Sequence, residues 1–223
     1  MINIFSRDQL SGLRNVVNNI IIDVSYNSTT RTSYLSPYYS WGNIPVPFSS
    51  GLAAESVMSI WEGLKVFELS DIDKNIFFLR HKDRLLRSGL GLGNLRGYRR
   101  GTNYDYIYEE NEAYQRIFIP TYRWVLEHKA FQIIQWLRHN YHKDIIIVDN
   151  IEEVIPNQIT PATLIKAYVL GASPFKDVIQ QEIIHHYFCG RKVLSWYTVK
   201  YRFKSIPPET SISQDGILEF DFE

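Results

Sequence analysis

The sequence predicts an α+β fold: a single, mostly helical domain over residues 1–223 with a small β-sheet. Three observations predict it. Two short β-branched runs, Asn19 to Val24 and Asp144 to Asp149, read as buried strands. Apolar residues from Tyr104 to Tyr141 recur at helical spacing. Beyond Gly190, the residues Val193, Ser195, Tyr197, Val199, Tyr201 and Phe203 alternate with period two, as strands do. A chain of 223 residues, 45% of them hydrophobic, is long enough to bury one core.

Each element has a local reason. Ser6 can cap a short helix to about Asn19. Tyr26 to Arg31 is a polar turn, and Pro37, Pro45 and Pro47 keep Tyr34 to Phe48 a non-helical loop. Ser50 or Gly51 opens a helix that carries Glu62 and Lys65, and a second helix follows from Asp71 to Arg87. Gly89 to Gly101 is a glycine-rich basic loop. The helical run from Tyr104 breaks at Pro120. Thr160 to Gly171 and Pro174 to Phe188 are two further helices.

Charge and cysteine content exclude several classes. Lys+Arg 24 balances Asp+Glu 24, so no global field draws the chain to nucleic acid or membrane. The single cysteine, Cys189, excludes an internal disulfide framework and fits a reducing compartment. Early charge at the N-terminus does not fit a signal peptide, and no apolar run approaches the roughly 20 residues of a membrane span. The expectation is a soluble, cytoplasmic protein.

The segment from Ser36 to Lys65 carries the chemistry. An aromatic turn rich in Pro and Gly leads into the helix, whose stripes are Ala54, Val57, Trp61, Leu64 and Glu55, Met58, Glu62, Lys65. The first stripe is core. In the second, Glu62 and Lys65 stand one turn apart. Lining a cleft, they would suit proton transfer or Schiff-base chemistry, because desolvation favours the neutral amine. On an open face they would be a salt bridge worth about 0.3 kcal/mol.

This segment resembles the NADAR family, named for NAD and ADP-ribose metabolism. That family has an aromatic turn, roughly F-S-N-F-x-P, followed by a helix reading approximately [ST]-V-E-x-x-x-Q-x-x-K. Leu35-Ser36-Pro37-Tyr38-Tyr39 stands at the turn; Ser56-Val57-Met58, Glu62 and Lys65 fall at the helix spacing. Met58 holds the motif glutamate position and Glu62 the motif glutamine position. The resemblance implies a NADAR-like domain over 1–223 and an N-glycosidase acting on an ADP-ribosyl or ribosyl-phosphate N-glycoside, with no cofactor. Its partner would be an ADP-ribose-containing small molecule or ADP-ribosylated nucleic acid. Lys65 would engage the sugar, and Glu62 or Glu55 would move the proton that Met58 cannot. Ser36, Tyr39, Trp41 and Trp61 would line the substrate. The alternative is a binding protein without cleavage.

Arg80, Lys82, Arg84, Arg87, Arg96, Arg99 and Arg100 form a local basic excess against Asp83. Arginine forks and glycine amides suit a diphosphate, which makes Arg87 and Arg99 candidate phosphate contacts beside an ordinary solvated loop. The glycines do not match a dinucleotide fingerprint. His185, His186 and Cys189 do not make a metal site, because adjacent helical histidines diverge by about 100°.

Overall fold

A computed structural model describes residues 1–6, 9, 20–26, 28, 31–80, 91–140, 142–149, 159–171, 209–212 and 218–221. In chain order the strands are β1 (Ile2–Ser6), β2 (Ile20–Asp23), β3 (Ile44–Pro45), β4 (Ala53–Ala54), β5 (Lys65–Phe67), β6 (Leu95–Arg99), β7 (Ile107–Tyr108), β8 (Ile145–Asp149), β9 (Glu209–Ile212) and β10 (Leu218–Asp221). The helices are α1 (Val57–Gly63), α2 (Glu110–Ala113), α3 (Ile119–His128), α4 (Phe131–His139) and α5 (Pro161–Val169), with 3-10 turns at Arg31–Leu35 and Lys74–Phe78. The fold is α+β.

One sheet is parallel, in the order β1-β8-β2, with Ile2 and Ile20 both opposite Ile145. Both of its faces are apolar. Ile20, Ile22, Ile145 and Ile147 join the main core, while Ile21, Ile146 and Val148 form a second cluster with Phe5. A strand covered on both sides cannot alternate with polar residues, which is why the two isoleucine runs are continuous. The carboxyl ends of these strands carry buried Ser6, Asp23 and Asp149. A second sheet, β5-β6-β7, is antiparallel; β3 pairs with β4 and β9 with β10.

Several expectations are corrected. Ser6 ends β1, and residues 7, 8 and 10–19 of the helix expected after it lie outside those described. From Asp71 to Arg80 the described residues form a 3-10 turn at Lys74–Phe78 and then extend at Leu79, whose N–H bonds the Ile76 carbonyl; residues 81–87 of the expected helix lie outside those described. The Gly89–Gly101 loop contains β6. Gly97 sits at φ 140°, and a Cβ there would stand 2.3 Å from the Tyr108 carbonyl oxygen, so the position takes glycine on both counts.

Pro120 does not break its helix. It lies in the first turn of α3, after a π-helical segment at Tyr114–Phe118 in which the Ile119 N–H bonds the Tyr114 carbonyl. The wider turn accommodates a ring that would clash with the carbonyl four residues back. The break comes instead at Lys129 and Ala130, between α3 and α4. The helix expected at Thr160 is present as α5, capped by reciprocal bonds between Thr160 and Thr163. The helix expected at Pro174 to Phe188 and the alternation from Val193 to Phe203 lie outside the described residues. No helix of the described residues is long and apolar enough to cross a membrane.

Candidate functional site

The site begins with a turn, Leu35 to Tyr38, that three elements hold. Ser36 Oγ donates to the Val24 carbonyl just past β2 (3.3 Å) and accepts from the Tyr38 N–H (3.3 Å). The Tyr122 hydroxyl of α3 donates to the Leu35 carbonyl. The Met58 N–H of α1 donates to the Pro37 carbonyl at 3.0 Å. Ser36 is therefore committed to the turn itself, which carries Tyr38 onto the first turn of α1.

Helix α1 starts at Ser56, whose hydroxyl accepts from the Ser59 N–H while Ser59 Oγ accepts from the Ser56 N–H. All seven of its residues are buried, so it has no solvent face; the two-stripe helix of the sequence reading is replaced by an enclosed one. Gly63 is its last residue, and a Cβ there would stand 2.4 Å from the Phe77 ring, so the position needs glycine. The chain passes through Leu64, still in the right-handed helical region, into β5, so Lys65 faces Glu62 across three residues. Lys65 Nζ lies 2.6 Å from Glu62 Oε1, with side chains 16% and 2% exposed. The pair is enclosed, unlike an exposed-face salt bridge.

Glu55 and Lys65 both lie outside the helix, so they do not share a stripe with Met58. Glu55 pairs with Arg80 at 3.3 Å. Trp61 is buried, stacked on Tyr98 at 3.9 Å with edge contacts to Tyr114 and Phe118, so its rings are core contacts. Tyr39 and Trp41 are half-buried and meet edge to face at 5.0 Å, with Trp41 Nε1 donating to the Tyr34 carbonyl. Arg99 pairs with Asp71 (2.6 Å) and Asp105 (2.9 Å). Strand alternation also turns it away from Lys65, which stands opposite Tyr98. Arg87 lies outside the described residues, as do His185, His186 and Cys189.

Tyr38, Tyr98 and Asp149 belong to this neighbourhood and were missed. Burial first, then the Glu62 carboxylate, with Tyr26 and Asp149 adding, push the Tyr38 phenol up to about 12. Burial also raises Tyr98, followed by Glu110 and Glu62, and raises Tyr114 and Tyr122, followed for both by Asp149. Asp149 Oδ2 accepts from the Ala162 N–H in the first turn of α5 at 3.1 Å. Neutral phenols thus surround two buried carboxylates, one of which touches an amine. The arrangement can pass a proton between Lys65 and Glu62 and donate hydrogen bonds from its walls. The signal for Tyr38 was its place in the motif turn; Asp149 could be found only by knowing that β8 runs parallel to β2.

The sequence model of the family described as "Family of unknown function (DUF6939)" matches residues 6–163. The chain belongs to this family. The DUF6939 match runs from the end of β1 into α5 and so takes in the motif turn, α1, β5 and β8. No curated protein matches the chain.

Proposed function

We propose that this DUF6939 protein is an N-glycosidase of the cytoplasm acting on an ADP-ribosyl or ribosyl-phosphate N-glycoside, such as ADP-ribose joined to a nucleobase. The observation that carries the reading is the enclosed contact of 2.6 Å between Lys65 and Glu62. The resemblance of the turn and helix to NADAR motifs supports the same chemistry. Lys65 passes a proton to Glu62, and its amine attacks the anomeric carbon C1′. The bond from C1′ to the base nitrogen breaks, its electron pair goes to the base, and the base takes the proton that Glu62 held. Water then cleaves the bond between C1′ and Nζ, giving the free sugar and the Lys65 ammonium. Tyr39 and Trp41 offer partly exposed rings for a base. Ser36 positions the turn. A phosphate reaching Arg99 must displace Asp71 or Asp105, both exposed carboxylates.

A second reading, binding without cleavage, is favoured by Met58, a buried thioether where the motif has a carboxylate. Hydrolysis of ADP-ribosylated guanosine and calorimetric binding of ADP-ribose, measured on wild type and Lys65→Arg, separate the two. Lys65→Arg keeps a cation beside Glu62 but removes the nucleophile, so turnover is expected to vanish while binding persists. Equal turnover would sink the lysine mechanism, and wild-type binding with no turnover would establish the second reading.

A further inference from the structure

We infer that Tyr38 is a further catalytic residue of this site, donating its phenolic proton to the nitrogen of a departing purine; this rests on the N-glycosidase reading above. Two departures from the motif meet at this point. Met58 removes a carboxyl from the helix, and Tyr38 adds a hydroxyl where the turn motif has its second phenylalanine. The two are neighbours in space, because the Met58 N–H bonds the carbonyl of Pro37, the residue before Tyr38. Glu62 follows Met58 by one turn on the same face of α1.

The Tyr38 hydroxyl is also available. The hydroxyls of Tyr114, Tyr122 and Tyr168 are committed to Ile159, Leu35 and Glu127. That of Tyr38 makes no hydrogen bond to another described residue, and its half-buried ring rests edge-on against Tyr26 at 5.0 Å. Burial and the nearby Glu62 keep it protonated throughout the neutral range. The step balances as a relay. Lys65 gives its proton to Glu62 and attacks C1′; the bond to the base breaks and its electron pair moves to the base nitrogen. That nitrogen takes the Tyr38 proton, and Glu62 restores the phenol.

The chemistry of the leaving group supplies the test. A purine must gain a proton as it departs, whereas the nicotinamide of NAD leaves as a neutral ring and needs none. Wild type and Tyr38→Phe are compared on ADP-ribosylated guanosine and on NAD, with ADP-ribose affinity and the thermal midpoint measured on the same samples. Loss of the hydroxyl is expected to lower kcat for guanosine release by about 100-fold or more, with affinity and nicotinamide release unchanged. A loss shared equally by both substrates, or no loss, overturns the role of Tyr38 and leaves Lys65 and Glu62 standing. Absence of guanosine release by wild type overturns the N-glycosidase reading and the role of Tyr38 together.

Discussion

Glu55 just precedes a short helix and Glu62 lies in its last turn, and each meets a cation, yet the two pairs belong to different environments. Glu62 is 2% exposed and touches Lys65 at 2.6 Å; Glu55 is 19% exposed and reaches Arg80, itself 75% exposed, at 3.3 Å. In the sequence the two carboxylates look interchangeable. In the fold, the Ser56 cap separates them and the turn after Gly63 encloses only one. An ion pair is therefore defined less by its distance than by what surrounds it. Separating charges in water costs little, whereas stranding one in a core costs several kcal/mol.

The largest test of this contrast is Lys65→Ala. It leaves the Glu62 carboxylate buried without its ammonium and is expected to cost about 3–5 kcal/mol in urea denaturation. Replacing both partners, Glu62→Leu with Lys65→Met, should be milder than the single change, because no charge is left behind. A loss under about 1 kcal/mol for Lys65→Ala would make the two pairs equivalent and undo the contrast.

Alkaline pH probes the same enclosure through the phenols. Tyrosines of the unfolded chain lose protons near pH 10, while the folded Tyr38 holds its proton to about 12, and Tyr98, Tyr114, Tyr122 and Tyr168 are raised as well. Above pH 10 the unfolded state then binds fewer protons than the folded one. This contribution to stability is full below pH 10 and falls as pH rises toward 12. Phenolate absorbance and circular dichroism followed together should show these tyrosines ionising only as the fold is lost. Smooth ionisation of all of them in an intact fold would show that the cluster is open to water.

The smallest effect is expected at the exposed pair. Glu55→Ala should cost about 0–1 kcal/mol, lessen further at high salt, and leave any turnover intact. A large loss of turnover would move Glu55 back into the site.

Legibility from sequence followed the same division between local and distant causes. Strands β2 and β8 were readable because burial on both faces forces consecutive apolar residues, a local signature. Helix α5 was readable because its cap lies beside it in sequence, at Thr160. The strand at Lys65 was not readable. Leu64 prolongs the helical pattern, and what makes Lys65 a strand residue is its pairing with Tyr98, distant in the chain. Strand β6 looked like a loop because its glycine answers to the Tyr108 carbonyl, outside the segment itself. The contact of Glu62 with Lys65 follows from their separation of three residues across the end of the helix, a local cause. Tyr38 stood in the motif turn, and its significance came only from the buried carboxylates that packing brings to it.

The strand order β1-β8-β2 also sets a schedule for synthesis. The central strand is the last of the three to be made, since the whole chain from Val24 to Asp144 is translated between β2 and β8. Among the described residues β1 and β2 pair only with β8, not with each other. At about 5–20 residues per second, both strands therefore wait on the order of ten seconds with their hydrogen-bonding edges unanswered. Ile20, Ile21 and Ile22 are the residues that neighbouring nascent chains would meet during that interval.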